Sequence, residues 1–338
     1  MKRKDNFVKV IDSTCRDGMH AVAHQFTTGQ VAAIAESLEA ANVYAMEVSH
    51  GDGLGGASLV FGIGAQTDEE WLRAASSKLK KTKLAFLFCP GIGISDDIRM
   101  AADCGAKIAR LATHCTEVDI SNQYVKVSKQ LGLEVIGVMM MIHSVEPDKL
   151  LEQAKLLESY GVDAVYTMDS AGHLLPDGVK ARISVLADKL SIPVGFHAHA
   201  NLGLAMSNTL AALEVGASMT DSTLRGLGAG AGNTPTEVLA SVLPMAGYET
   251  GIDAYKAMDA AEDILAPMLE KPPVIDKVAL AIGVAGVYGS FALHAKKAAE
   301  RYKIDVRDIL MELGRRKIVG GQEDMIVEVA WELANRKK

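Results

Sequence analysis

The strongest constraint on this chain is a repeated alternation. Short apolar, β-branched-rich runs recur at Val8–Thr14, Val43–Ser49, Lys83–Cys89, Ile108–Thr113, Glu134–Met141, Ala164–Ser170, Pro193–His199 and Ser218–Leu224. Segments with helical periodicity lie between them, among them Thr28–Ala41, Glu117–Leu131, Pro147–Tyr160 and Asn201–Val215. Gly161 and Gly216 each stand where a helix should stop and a strand begin, as a glycine cap predicts. Strands that alternate with helices argue for a parallel sheet. Eight such units in about 240 residues match a closed (β/α)8 barrel, the TIM-barrel architecture, in count and size. A doubly wound open sheet is the alternative, but the Gly-x-Gly-x-x-Gly expected after its first strand is absent.

From Asp253 onward the strand pattern stops. Ala254–Leu269, Val274–Arg301, Val306–Leu313 and Gln322–Lys337 read as helices, with a hinge at Pro267 to Pro273. The expected organisation is an α/β barrel over residues 1–250 and an all-helical extension over 251–338, packed on the barrel or used for assembly. With 49% hydrophobic residues, the 338-residue chain can bury a large core. A net charge of -7 gives no reason to expect nucleic acid or an anionic membrane as partner. No run approaches the roughly 18 apolar residues of a membrane span, and the basic start lacks the apolar region of a secretory signal. Cys15, Cys89, Cys104 and Cys115 have no C-x-x-C spacing and read as reduced thiols, which fits a cytoplasmic location.

Barrel enzymes build their sites at the carboxyl ends of the strands. Here those ends are rich in chemistry-bearing side chains: Arg16, Asp17, His20 and His24 after the first run, and Glu47, His50 and Asp52 after the second. His197 and His199 stand at i and i+2 at the end of the seventh run, so both imidazoles point the same way. Two neutral imidazoles make half of a divalent-metal site. On its own the pair also fits two unrelated histidines on a half-exposed strand. Asp17 is the natural third ligand, and two histidines with one carboxylate leave positions open for substrate; a turn cap is its other reading. Arg16 is a permanent planar cation that can stabilise enolate or oxyanion charge, or pair with Asp17 or Glu47. His20 can act as acid or base near neutral pH. His24 fits a packing role at least as well. Leu87 and Cys89 share a face before Pro90 and can line a pocket for a small apolar group. His114, His143, His173 and His294 read as structural or surface residues. The loop GLGAGAGNTPTE, Gly226 to Glu237, fits either a phosphate-binding turn or a close-packed turn capped by Asn233 or Thr234 before a helix.

The string DSTCRDGMHAVAHQFT resembles the first strand and loop of the 4-hydroxy-2-oxovalerate aldolases. These belong to the pyruvate carboxyltransferase-like barrels, with hydroxymethylglutaryl-CoA lyase and isopropylmalate synthase. The likeness continues in order through HGDGLGGAS, PGIG, ATHCTE, EQAKLLESYG, MDSAG, FHAHANLGLA, GAGAGN and AGVYGSF, tail included. It implies a divalent-metal lyase, usually with Mn2+ and otherwise with Co2+ or Mg2+, that cleaves a 4-hydroxy-2-oxo acid to pyruvate and a short aldehyde. By position it implies that Asp17, His197 and His199 hold the metal, that Arg16 stabilises the enolate, and that His20 takes the C4 hydroxyl proton. Ser170 falls where substrate is bound, and Tyr288 reaches back from the tail to orient it. Family members commonly pair with an acylating acetaldehyde dehydrogenase that receives the aldehyde, so a homo- or hetero-oligomer is expected. From periodicity alone Tyr288 reads as one apolar-face residue of a long helix.

Four positions depart from the family pattern: Cys15 where it usually has Leu, Ala200 in H-x-H-H-N, Cys89 where Leu is common, and Arg225 after the eighth strand. None removes a metal ligand or base. Ala200 and Cys89 bear on second-sphere hydrogen bonding and substrate size; Arg225 can bind a further carboxylate or face solvent. Two rival functions remain at this point. One is a condensing enzyme or lyase of the same barrel family that uses an acyl-CoA. The other is a non-catalytic partner subunit for an aldehyde dehydrogenase.

Overall fold

The computed structural model describes residues 6–336. Eight parallel strands, β1 (Lys9–Cys15), β2 (Ala45–Val48), β3 (Lys83–Phe88), β4 (Ile108–His114), β5 (Glu134–Met140), β6 (Ala164–Asp169), β7 (Val194–Ala198) and β8 (Met219–Ser222), follow one another around a closed barrel. β8 returns to pair with β1, with Asp221 beside Ile11. The open-sheet alternative is thereby excluded. The helices α1 (Thr28–Ala40), α2 (Asp68–Ser76), α3 (Ser95–Asp103), α4 (Asn122–Gln130), α5 (Pro147–Tyr160), α6 (Pro176–Lys189), α7 (Ala205–Glu214) and α8 (Thr236–Met245) follow β1 to β8 in turn. α5 ends at Gly161, whose φ of 90° is a left-handed conformation that glycine reaches without strain.

The barrel interior changes character along its axis. Ile11, Ala45, Ile108, Ala164 and Met219 form an apolar inner layer. Two residues further on, the same inward faces carry Ser13, Glu47, Arg110 and Asp221, all buried. Alternation along a strand forces this stacking, since every second side chain points inward. Gly195 on β7 is part of the same design. A Cβ there would come within 2.2 Å of the Tyr166 ring, which in turn lies 4.7 Å from the Arg110 guanidinium.

Beyond α8 the helical region divides in two. α9 (Ala254–Asp259) runs into a π turn (Ala260–Leu265) and a 3-10 turn (Ala266–Met268). Pro267 lacks the N–H that would continue an α ladder, so the expected single helix Ala254–Leu269 is broken up. Ala257, Ala260, Ala261 and Leu265 pack into the barrel's own core. A second core begins at Val278 and is built from α10 (Lys277–Ala285), α11 (Phe291–Tyr302), α12 (Val306–Arg315) and α13 (Asp324–Arg336). Lys337, at the end of the last expected helix, lies outside the described residues.

The expected helix Val274–Arg301 is two helices. α10 stops at Gly286, which adopts φ 65° and donates its N–H to the Ile282 carbonyl at 2.9 Å. Two barrel histidines hold this end: His173 Nδ1 donates to the Gly283 carbonyl at 2.7 Å, and His143 Nε2 to the Gly286 carbonyl at 3.1 Å. His143 and His173 therefore fasten the tail to the barrel. Tyr288 falls in the break between α10 and α11 rather than on a helix face. Among the described residues no helix is long and apolar enough to cross a membrane.

Candidate active site and metal centre

β1 ends in a bulge and a 3-10 turn, Asp17–His20, that folds over the barrel mouth. This turn brings Asp17 to the end of β7. One ligand atom each from Asp17, His197 and His199 lies within 4.8 Å of the others, and all three side chains are buried. The His197 Nδ1–H donates to Asp221 at 2.8 Å, which leaves the Nε2 lone pair facing inward. That nitrogen stands 3.2 Å from His199 Nε2. Two imidazole lone pairs at such a distance repel unless a proton or a cation lies between them. Burial pushes the His199 imidazole down to about 4 despite Asp17 nearby, so at neutral pH it is uncharged and can turn an Nε2 lone pair toward a cation. For Asp17, burial acts against ionisation, but the Arg16 guanidinium and the facing imidazoles outweigh it and hold the carboxyl well below its usual range. An anionic carboxylate and two imidazoles on one face fit a divalent cation.

Arg16 is held by its neighbours. Its Nε donates to Glu47 at 2.7 Å and its Nη1 to Asp17 at 2.7 Å. Its Nη2 is buried with no protein partner. Glu47 also accepts from Ser13 at 2.8 Å and pairs with Arg110 at 2.9 Å. Arg110 donates to Asp221 at 2.5 Å. The chain of contacts thus runs from His197 through Asp221, Arg110, Glu47 and Arg16 to Asp17. Every charge in it is countered, which a buried ionic group requires.

The loop after β8 closes over this centre. Asn233 Nδ2 donates to Asp17 at 2.5 Å, and the Ala229 N–H at 3.2 Å. Asn201 accepts from the Ala231 N–H at 2.9 Å, the Gly226 N–H donates to the Thr223 carbonyl at 3.0 Å, and the Asn233 N–H to the Gly226 carbonyl at 2.9 Å. With its amides so engaged, the loop is the close-packed turn of the two readings. Neither Asn233 nor Thr234 caps α8, whose N-cap is Pro235. Asn233 holds Asp17 instead. Arg225 points away and pairs with Glu262 at 2.7 Å. Ala200, where the family pattern has histidine, donates its N–H to the Gly232 carbonyl at 2.7 Å.

A cavity of about 420 Å³ opens beside the centre. Its wall brings together Arg16, Asp17, His20, Leu87, Cys89, Met168, Ser170, His199 and Tyr288, with Gly320 and Gly321 from the tail. His197, read as a metal ligand and as a further contact to the substrate, is fully buried behind His199 and does not reach the wall. His114 lines the cavity, which the structural reading of that residue did not anticipate. Ser170 Oγ accepts the Met141 N–H at 3.2 Å, so its own proton is free for another acceptor. Burial raises the Tyr288 phenol above its ordinary value and pushes the Cys89 thiol up to about 12. Both are neutral at working pH. All four cysteines are free and buried.

Two further residues, Arg110 and Asp221, escaped the sequence reading, and Asn233 was read only as a turn cap. Arg110 sits within the apolar β4 and Asp221 within the short polar β8, and only the closing of the barrel makes them neighbours. The i, i+2 spacing that aligned His197 with His199 also places Asp221 on the inward face of β8, a signal available once the barrel is assumed.

Two family models match the chain, one described as HMGL-like over residues 7–264 and one as a DmpG-like communication domain over residues 273–335. Over 331 residues, 98% of both chains, it is 60% identical to the 4-hydroxy-2-oxovalerate aldolase of Carboxydothermus hydrogenoformans. To the 4-hydroxy-2-oxovalerate aldolase of Pelotomaculum thermopropionicum it is 56% identical over 330 residues, 98% of this chain and 97% of that one. Among solved structures, the carboxyl transferase domain of Rhizobium etli pyruvate carboxylase, with pyruvate and biocytin, matches with a TM-score of 0.81. That match covers 99% of this chain and 61% of the other at 17% identity, a likeness of fold alone.

Proposed function

The chain belongs to the 4-hydroxy-2-oxovalerate aldolase family, and from that premise we propose that it is a lyase cleaving 4-hydroxy-2-oxo acids, such as 4-hydroxy-2-oxopentanoate, to pyruvate and a short aldehyde, with a divalent cation held by Asp17, His197 and His199. The observation that carries this reading is the buried pair of facing imidazoles beside Asp17, next to an Arg16 Nη2 that has no partner and borders the cavity. Bound there, Mn2+ (or Co2+ or Mg2+) supplies Lewis-acid and electron-sink chemistry toward the substrate's keto oxygen.

The protein groups do the rest. Arg16 Nη2 donates to the substrate's oxygens and stabilises the negative charge that builds on the enolate. Its other nitrogens are fixed by Glu47 and Asp17, so little reorganisation accompanies that charge. His20 removes the C4 hydroxyl proton. The C3–C4 electron pair then moves toward C2, the C4 oxygen becomes the aldehyde carbonyl, and the aldehyde leaves. A proton delivered to C3 converts the enolate to pyruvate. The neutral Tyr288 hydroxyl and the free Ser170 proton serve as donors that orient the substrate. Leu87, Cys89 and Met168 offer an apolar wall to the alkyl group next to C4.

The tail is the partner side of this reading. Its match to a communication domain supports pairing with an acylating acetaldehyde dehydrogenase that consumes the aldehyde. Exposed Leu293, Met311, Val327 and Trp331 on the tail helices are apolar surface suited to a homo- or hetero-oligomeric contact.

The test is pyruvate release, read with lactate dehydrogenase, over 4-hydroxy-2-oxo acids of increasing chain length. Metal-dependent release from the shortest members is expected, with no adduct trapped by borohydride. A trapped Schiff base, or release of free CoA from an acyl-CoA with no aldol cleavage, would overturn the assignment.

A further inference from the structure

A second cluster with ligand chemistry lies on the far side of His20. One ligand atom each from His20, His24 and Asp52 lies within 4.8 Å of the others. No residue is shared with the group of Asp17, His197 and His199. The backbone is bent to make the second one. Ala23 and His24 are consecutive non-glycine residues in the left-handed region, at φ 50° and 61°. That conformation is unfavourable for residues with a Cβ and concentrates at functional places. Here it turns the His24 ring back onto the His50 ring, with centroids 3.7 Å apart. His50 is itself fixed: its Nδ1 accepts the Asp52 N–H at 3.2 Å, and its Nε2 donates to the Gly62 carbonyl at 3.2 Å.

The floor of the cluster is Gly51. A Cβ at that position would stand 2.7 Å from His20 Nε2 and 2.8 Å from His24 Cε1. Both rings therefore converge above one backbone atom, with His20 Nε2 turned inward. His24 Nδ1 receives only the Gly51 N–H, at a long 3.4 Å. A cavity of about 500 Å³, adjoining the first along His20, Asp52, Phe61 and Glu323 and lined also by His24 and Lys297, opens onto this cluster.

We propose that His20, His24 and Asp52 form a second divalent-cation site that binds Zn2+ and, when filled, inhibits the enzyme. Two imidazoles and one carboxylate suit Zn2+, and the affinity order places Zn2+ above Mn2+ at such ligands. An ion there takes the imidazole lone pair that must receive the C4 hydroxyl proton. The site rests on the geometry alone; its inhibitory effect rests in addition on the reading of His20 as the base.

The experiment is equilibrium dialysis of the metal-free full-length chain against Zn2+, combined with pyruvate-release assays of the Mn2+-loaded enzyme. The native chain should bind two Zn2+, and Asp17→Asn should retain one. His24→Asn, which keeps a residue tolerant of the left-handed region, should bind one. Asp52→Asn serves as the second variant and should also bind one, and thermal melts identify a variant that has not folded. In the native enzyme Zn2+ should inhibit in a way that excess Mn2+ does not relieve, and His24→Asn should raise the inhibitory concentration at least tenfold. One Zn2+ in the native chain, two in both variants, or inhibition fully relieved by Mn2+ would overturn the proposal. If pyruvate release is absent altogether, the aldolase reading fails, and the dialysis stoichiometry still decides the second site.

Discussion

The barrel and the tail contribute to one cavity in opposite ways. The barrel supplies Arg16, Asp17, His197 and His199 from strand ends or the turn that follows, and ties them together through Glu47, Arg110 and Asp221. The tail supplies Tyr288 from a gap between two helices, and that gap is secured by two hydrogen bonds from barrel histidines. Buried charges in the barrel cannot move without leaving a partner unsatisfied, at a cost of several kcal/mol. Tyr288 can shift at the expense of neutral hydrogen bonds, each worth about 1 kcal/mol. The difference teaches where reaction chemistry and where adjustable shape reside in this molecule.

Substitutions should expose that division by their size. Asp17→Ala should lower kcat/KM about a thousandfold or more, since several kcal/mol of charge stabilisation goes with the cation. Steady-state pyruvate release measures it, and a variant within tenfold of native would break the comparison at its strong end. His20→Asn should cost about 10²–10⁴ in kcat with little change in Mn2+ affinity at the Asp17 site, the signature of a lost base. Asp221→Asn acts one step back. It should weaken metal binding about 10- to 100-fold by releasing the His197 tautomer, with much of the rate recovered at saturating Mn2+. Tyr288→Phe on the tail should change kcat/KM by about tenfold or less, as loss of one hydrogen bond would. A thousandfold effect there would place the tail alongside the strands as a source of chemistry.

A further effect concerns stability rather than rate. Asp12, fully buried beneath the rim, accepts from Thr236 Oγ1 at 2.6 Å and from the Thr14 N–H at 2.8 Å. Burial nevertheless raises its carboxyl to about 6 from 3.8. A raised folded value means the native state holds this proton more tightly than the unfolded chain. The contribution is therefore favourable below the unfolded value and is lost as pH rises from about 4 to about 6. Urea melts of Asp12→Asn should gain on native over that window by no more than about 3 kcal/mol. A difference independent of pH would remove the carboxyl as its cause.

Much of this was legible in the sequence because the barrel writes itself locally. Most strands are apolar or β-branched runs, and each falls within two residues of its expected bounds at either end. The i, i+2 pair at His197 and His199 and the Arg16–Asp17 pair sit at strand ends, where only one face is available. What was not legible depends on closure or on interruption. Arg110 reads as one charge in an apolar run until β4 meets β8 across the barrel. Asn233 reads as a turn cap until its loop folds onto Asp17. The break before Tyr288 was masked by continuous helical periodicity on either side; Gly286, able to take a left-handed cap, was the available cue. Residues 251–265 looked like tail because they are helical, yet their small apolar side chains complete the barrel's core.

The central claim is that Asp17, His197 and His199 hold one cation on which retro-aldol cleavage depends. It is tested most directly by stripping the full-length chain with a chelator and titrating Mn2+ back while following pyruvate release from 4-hydroxy-2-oxopentanoate. The stripped native chain should be inactive and regain its rate as Mn2+ is added, while Asp17→Asn should not recover. An undiminished rate in the stripped chain, or full recovery by Asp17→Asn, would contradict the account.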